Sequence, residues 1–238
     1  MNEINLIYNE NLIQSKLYPF NSPQRIRIKD DSFVPSAVLF PIIPYEKKPY
    51  ELIIIHRTDR GSKHRGEMSF PGGKFDPNVD KSLQDTALRE TNEEIGVSVD
   101  KIKLLGCLHD FPTMTRYIIT AFIGLVDKDQ KLVKEDREVQ EILKIPIDFF
   151  VNKTSFREQV FEADKKKFPV FYFNYKNNET NKKYTIWGAT AYMISAFIEI
   201  IYNHKMSEFE IRRFSVEEIK ALKNYITLKD KITKNLKD

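Results

Sequence analysis

Two compact apolar runs, Ser36-Ala37-Val38-Leu39-Phe40-Pro41-Ile42-Ile43 and Leu52-Ile53-Ile54-Ile55-His56-Arg57, flank a polar stretch from Pro44 to Glu51. Short apolar runs bounded by turn formers predict two strands of one sheet. Ser69–Gly73 predicts a short strand that ends in the turn signal Pro71-Gly72-Gly73. From about Ser82 to Ile95 there is no proline or glycine, helix formers dominate, and Gly96 supplies the stop. Strands follow near Lys103–His109 and Tyr117–Val126, then a short segment at Glu138–Leu143 before Ile145-Pro146. Val170–Tyr175 and Lys183–Trp187 predict a hairpin, and Thr190–Asn203, apolar at helical spacing, predicts a helix packed on the sheet. A last helix starts at Ser215, where Glu218 completes a capping box, and Val216, Ile219, Leu222, Lys223 and Ile226 continue an amphipathic pattern. The reading is a mixed sheet with helices on both faces.

The 238 residues are 41% hydrophobic and 30% charged, which fits one large domain with a terminal appendage and a substantial core. Residues 1–35, broken by Pro19 and Pro23, read as a helical or irregular lead-in; 36–205 as the domain; and 206–238 as a helical extension. No apolar run reaches the ~18–20 residues of a membrane span, and the nearest, Ala191 to Tyr202, contains Glu199. The first residues lack the basic and apolar blocks of a secretory signal. Cys107 is the single cysteine, which excludes an intrachain disulfide framework and a cysteine-based zinc site. A cytoplasmic location is expected. The net charge of +4 is too mild for a nucleic-acid binder and compatible with small phosphorylated substrates. The expected partner is a small molecule, with membrane binding through the last helix a minority reading and a homodimer left open.

The informative stretch is Arg89-Glu90-Thr91-Asn92-Glu93-Glu94-Ile95-Gly96-Val97. On a helix, Glu90 lies three and four residues from Glu93 and Glu94, so the three carboxylates share one face and repel. They also occupy the last turn, where the helix dipole is already negative. One reading is a solvated acidic surface. The other is that a cation compensates: Arg89 supplies one, and a divalent metal, Mg2+ or Mn2+, would supply more through oxygen ligands. Pro71-Gly72-Gly73 adds a turn at which a ligand can approach the main chain; alone it is an ordinary turn.

Gly73 through Val97 resembles the Nudix box, the loop–helix–loop motif G-x5-E-x7-R-E-U-x-E-E-x-G-U, with U a bulky aliphatic residue. The match is at Arg89, Glu90, Glu93, Glu94, Gly96 and Val97. Two departures stand out. Thr91 replaces an aliphatic residue, and the loop is two residues longer, so that Val79 or Lys81 falls where the first Glu belongs. Asp76, Asp80 and Asp85 are the candidates to stand in. The resemblance implies a Nudix-type α/β/α sandwich with a mixed β-sheet, here with a C-terminal helical extension. It also implies hydrolysis of a nucleoside diphosphate linked to another moiety. Glu90 and Glu94 would hold the metal, with Glu93 and the Gly73 carbonyl as further ligands, and Arg89 would orient the carboxylates.

Likeness extends beyond the box to the coenzyme A diphosphatase-like subgroup. It is carried by Arg57, by His64-Arg65-Gly66-Glu67-Met68-Ser69-Phe70-Pro71-Gly72-Gly73, by Asp110-Phe111-Pro112-Thr113, by Glu138-Val139-Gln140-Glu141-Ile142 and by Ile186-Trp187-Gly188-Ala189-Thr190-Ala191. The resemblance implies cleavage of coenzyme A or an acyl derivative; alternatives are ADP-ribose, dinucleoside polyphosphates, or a non-catalytic binding module. Arg57, His64 and Arg65, with Gly72 and Gly73, are the expected substrate contacts, although a basic run is as readily a solvated surface. Glu138 or Glu141 is the expected later-loop acid, with Glu138 the candidate general base, against an ordinary surface ion pair. Trp187 reads as a core anchor or as a stacking surface for adenine.

Overall fold

The computed structural model describes residues 4–60, 65–163, 165–208 and 214–224. In chain order the elements are α1 (Glu10–Lys16), β1 (Val34–Ile43), β2 (Glu51–Arg57), β3 (Met68–Ser69), β4 (Gly72–Lys74) and α2 (Leu83–Ile95). There follow β5 (Ile102–Cys107), β6 (Phe111–Pro112), β7 (Tyr117–Val126), β8 (Val139–Pro146) and α3 (Ile147–Val151). The last are β9 (Phe156–Ala163), β10 (Lys166–Lys176), β11 (Lys183–Trp187) and α4 (Gly188–Tyr202), and then a helix over 216–224.

The central sheet runs β3-β2-β1-β7-β5, with β4 on β1, β6 on β7 and β8 on β2. Its β1–β7 pair is parallel and the others antiparallel, so the sheet is mixed, as the chain pattern predicts. Alternation along β1 assigns its two faces. Ala37 and Leu39 pack with Ala87 of α2, while Phe40 packs on Phe197 of α4, with ring centroids 4.7 Å apart. Both faces are covered by apolar layers, which explains why the strand is a nearly unbroken apolar run.

A second sheet, β11-β10-β9, is antiparallel. The β10–β11 hairpin matches the expectation, whereas β9 was not legible: Phe-Arg-Glu-Gln-Val-Phe-Glu-Ala has few apolar residues for a strand. It is an outer strand of this sheet and needs one apolar face at most. Trp187 is not a core anchor. It is 44% exposed, because Tyr184 and Ile186 take the inward positions of β11 and alternation turns Trp187 outward.

The lead-in docks onto the domain. Ile13 and Leu17 are buried in the main core, and the Arg25 guanidinium is buried against Asp110. Arg25 also donates to the Leu108 carbonyl at 3.0 Å and to Thr120 Oγ1 at 2.9 Å, while Asp110 accepts from the Ile28 N–H at 2.8 Å. The capping box at Ser215 and Glu218 forms reciprocally, and Val216, Ile219 and Leu222 pack on Phe33, Ile118 and Phe168. Ile226, the last position of the expected amphipathic pattern, lies outside the described residues. Among the described residues no helix is long and apolar enough to cross a membrane.

Truncating one partner of a buried ion pair strands the other charge, at a cost of about 3–5 kcal/mol. Arg25→Ala should therefore lower the urea midpoint by that equivalent; a loss below ~1 kcal/mol would show that the pair does not anchor the lead-in.

Candidate active site

Helix α2 is capped at both ends by its own sequence. The Ser82 hydroxyl accepts from the Asp85 N–H at 3.3 Å, and Gly96 takes φ 70°, its N–H reaching the Asn92 carbonyl. Thr91 occupies the aliphatic box position fully buried, with Oγ1 donating to the Ala87 carbonyl at 2.6 Å, so its hydroxyl is satisfied inside the helix. Packing of Ile95 and Val97 against Ile53, Ile55 and Val139 brings the C-terminal turn of α2 beside the end of β2.

Glu94 is 2% exposed. One carboxylate oxygen accepts from Arg57 Nη1 at 2.6 Å and the other from the Gly72 N–H at 2.8 Å. Burial nevertheless dominates and pushes its pKa up to about 7, against the lowering effects of Arg57 and Gly72. Gly72 is required by space and by its φ of 155°, whereas Gly73 is where the Glu90 carboxylate comes close to the main chain. A Cβ on Gly72 would strike the Ala37 carbonyl and Val38 of β1, and one on Gly73 would fall on the Glu90 carboxylate. The glycine turn and the acidic helix end are thus in contact.

Arg89 is the second hub. Its Nε and Nη2 bind the two oxygens of Asp80 at 2.8 and 3.0 Å, while Nη1 binds Glu90 at 2.8 Å and Glu93 at 3.0 Å. Asp80 is buried and also accepts from Thr86 Oγ1 and the Asp76 N–H. Its hydrogen bonds from Arg89, first of all, hold its pKa well below the usual carboxylate range. Of the three aspartates left open by the lengthened loop, Asp80 is the one that meets Arg89, whereas Asp85 bonds back to the helix start. Spacing from Arg89 could not select it, because the extra residues change how the loop returns to the helix.

The other expected site residues divide. Arg57 reaches Glu138 as well as Glu94, with Nη2 3.3 Å from the Glu138 carboxylate. Glu138 is exposed at the rim of the cluster and its backbone carbonyl accepts from the Thr58 N–H. Glu141 is not part of the cluster: it pairs with Tyr184 at 2.7 Å and Lys182 at 3.2 Å, opposite His56. Alternation separates His56 from Arg57, so Glu141 lies across the sheet from α2. Arg65 is exposed in the β2–β3 connection, and His64 lies outside the described residues.

Glu90 is half-buried, and burial raises its pKa, with Glu93 and Glu138 adding repulsion to offset Arg89. Carboxylate oxygens short of positive charge suit a hard divalent cation, so the donor chemistry fits Mg2+ or Mn2+. Among the described residues no group of three or more His, Cys, Asp or Glu side chains converges for coordination. Arg57 and Arg89 draw Glu94 to one side and Glu90 and Glu93 to the other.

Two consequences are measurable. Because Glu94 has a raised native pKa, the native state binds more protons than the unfolded chain between the ordinary value of 4.5 and about 7, and stability falls as pH rises through that window. In metal-free protein, melting should fall more steeply between about pH 5 and about pH 8 than it does for Glu94→Gln, the gap approaching ~3 kcal/mol; parallel curves would exclude the raised pKa. Asp80 has the opposite sign. Asp80→Asn should cost ~1.5–3 kcal/mol at neutral pH, with the difference closing in acid as the wild-type carboxylate is protonated through its depressed pKa. Urea denaturation at neutral and acid pH checks it, and an equal deficit at both would refute it.

A family model described as NUDIX domain matches residues 35–168, more than half of the chain. The chain is 28% identical over 175 residues to the mouse (Mus musculus) peroxisomal coenzyme A diphosphatase NUDT7, covering 74% of this chain and 73% of that protein. It is 32% identical over 159 residues to the uncharacterized Nudix hydrolase NudL of Yersinia pestis (strain Pestoides F), covering 67% of this chain and 75% of that one. With the box carboxylates gathered at the end of α2 against the glycine turn, the chain belongs to the Nudix family of hydrolases.

Proposed function

We propose that this hydrolase cleaves the diphosphate linkage of coenzyme A or an acyl-coenzyme A, giving 3′,5′-ADP and a 4′-phosphopantetheine product. One observation carries the substrate assignment: the likeness to the mouse coenzyme A diphosphatase spans 74% of this chain, far more than a shared box. The site geometry supports the reaction class. Glu90, Glu93 and Glu94, with the Gly73 carbonyl, are the groups that would hold Mg2+ or Mn2+. A cation held by these groups would supply charge neutralisation at the diphosphate oxygens and a more acidic attacking water.

The chain's own residues do the remainder. Arg89, fixed from behind by Asp80, orients Glu90 and Glu93. Arg57 links Glu94 to Glu138 and contributes positive charge beside the turn at Gly72 and Gly73. Glu138 is the assigned general base: it takes the proton of a water whose oxygen bonds to phosphorus as the bridging P–O bond breaks. Arg65, with His64, is assigned to the 3′-phosphate that distinguishes coenzyme A from other diphosphates. A cytoplasmic location is part of the same proposal.

The decisive assay offers coenzyme A, dephospho-coenzyme A, ADP-ribose and a dinucleoside polyphosphate with Mg2+ or Mn2+, and separates the products by chromatography. Coenzyme A should be preferred, and loss of the 3′-phosphate contact should lower kcat/KM by roughly 10- to 150-fold. Preference for ADP-ribose or the dinucleotide, or full activity in excess chelator, would overturn the reading.

A further inference from the structure

The turn that carries Glu138 is built around a residue that the reaction chemistry does not use. Through one carboxylate oxygen, Glu135 accepts from the backbone N–H groups of Arg137 and Glu138, both at 3.0 Å. Its own carbonyl accepts from the Glu138 N–H at 3.2 Å and from the Val139 N–H at 2.8 Å, so the chain doubles back just before β8. The second carboxylate oxygen meets Arg137 Nε at 2.9 Å. A side-chain oxygen that takes the N–H groups two and three residues on fixes a tight turn, as in an Asx-turn. Here the residue so fixed is Glu138.

Glu135 is also docked on the box helix. Its N–H donates to the Glu94 carbonyl at 3.1 Å, and the Val133 N–H donates to the Ile95 carbonyl at 2.9 Å. Both acceptors are last-turn carbonyls that α2 cannot satisfy by itself. One residue thus bonds by its backbone to Glu94 and by its side chain to the N–H of Glu138. Thr58, next to Arg57, holds the same turn from the β2 side. Its N–H donates to the Glu138 carbonyl at 2.9 Å and its hydroxyl to the Arg137 carbonyl at 2.7 Å. The Glu138 backbone is therefore held at both its N–H and its carbonyl, while its carboxylate stays exposed and touches Arg57 Nη2 at 3.3 Å. A turn cap alone would stabilise the loop. This one also sets the spacing between a box glutamate and the assigned base, where a shift of ~1 Å can cost about 100-fold in rate.

We propose that Glu135 is a positioning residue for hydrolysis, holding Glu138 at a fixed place relative to the Glu94 end of α2. It acts through Glu138. The inference rests on the assignment of Glu138 as general base and goes beyond it by naming the residue that sets the base in place. The acceptor oxygen rather than the charge does the holding, because Arg137, the ion-pair partner, is exposed and such pairs contribute little.

The test is a set of variants assayed on whichever diphosphate the product panel shows to be cleaved fastest. Glu138→Gln should lower kcat by about 100-fold or more. Glu135→Ala should lower kcat by about 10- to 100-fold, with KM little changed. Glu135→Gln, which keeps an acceptor oxygen at the same reach, should restore most of the turnover, and Arg137→Ala should retain it. Added to Glu138→Gln, Glu135→Ala should change kcat by less than about threefold, because the group through which it acts is already gone. Glu135 is partly exposed, so Glu135→Ala should fold, and thermal melting checks it. Hydrogen exchange at the Arg137 and Glu138 amides, faster in Glu135→Ala than in Glu135→Gln, reads the cap without turnover. Full kcat in Glu135→Ala beside an impaired Glu138→Gln would overturn the inference and leave the base assignment standing. An equal loss from Glu135→Ala with and without Glu138, or from Arg137→Ala, would also overturn it. Full turnover in Glu138→Gln would remove the base assignment and the inference with it.

Discussion

A carboxylate buried at the negative end of a helix is the constraint around which this site is arranged. Glu94 sits in the last turn of α2, where both desolvation and the helix dipole disfavour its charge. The structure answers with two donors from different parts of the chain, the guanidinium at the end of β2 and the N–H of the glycine turn. Each donor is in place only because a tertiary contact holds it there. The Gly72 N–H points at Glu94 because β4 pairs with β1, and Arg57 arrives because Ile53 and Ile55 pack with Ile95 and Val97. Loss of that packing would separate the charge from its partners.

Arg89 solves the neighbouring problem in a different way. Three carboxylates, Asp80, Glu90 and Glu93, surround one guanidinium, whose planar donors suit oxygens on more than one side. Asp80 is buried and bound through both oxygens, so it fixes the plane of the guanidinium. Glu90 and Glu93 are then held by the remaining nitrogen. The positive charge of Arg89 is thereby shared among three anions, and Glu90 keeps a raised pKa beside it. Burial is the first cause of that shift, and a cation bound there would offset it.

The sheet separates two kinds of work. On its α2 face are the acidic cluster and the glycine turn, and on the other are α4, the second sheet and the main core. A one-residue step along β2 crosses from one to the other, which is why Arg57 joins Glu94 while His56 lies edge-on to Tyr184 with ring centroids 5.6 Å apart. The register of β8 separates the fates of its neighbours: Glu141 lies opposite His56, whereas Glu138, just before the strand, meets Arg57. The terminal segments close the edges of this arrangement, the lead-in through Ile13 and Arg25 and the helix at 216–224 through Val216, Ile219 and Leu222.

The chain by itself determined the parts whose information is local. Apolar runs marked β1, β2 and β7, the gap in proline and glycine between Ser82 and Ile95 marked α2, and the spacing of Arg89, Glu90, Glu93 and Glu94 marked the chemistry of its end. Serine and glycine at the two ends of α2 act through neighbouring backbone groups, so their roles were also legible. Tertiary structure decided whatever depended on how distant segments meet. Asp80 rather than Asp76 or Asp85 reaches Arg89 because of the path of a lengthened loop. Glu138 rather than Glu141 joins the cluster because strand register chooses the face. Trp187 points outward because Tyr184 and Ile186 bury the other face of β11, and the polar strand β9 pairs because β10 offers it a partner. Helical spacing and capping are properties of a few consecutive residues, whereas register and loop closure are settled only when segments far apart in the chain bury their surfaces together.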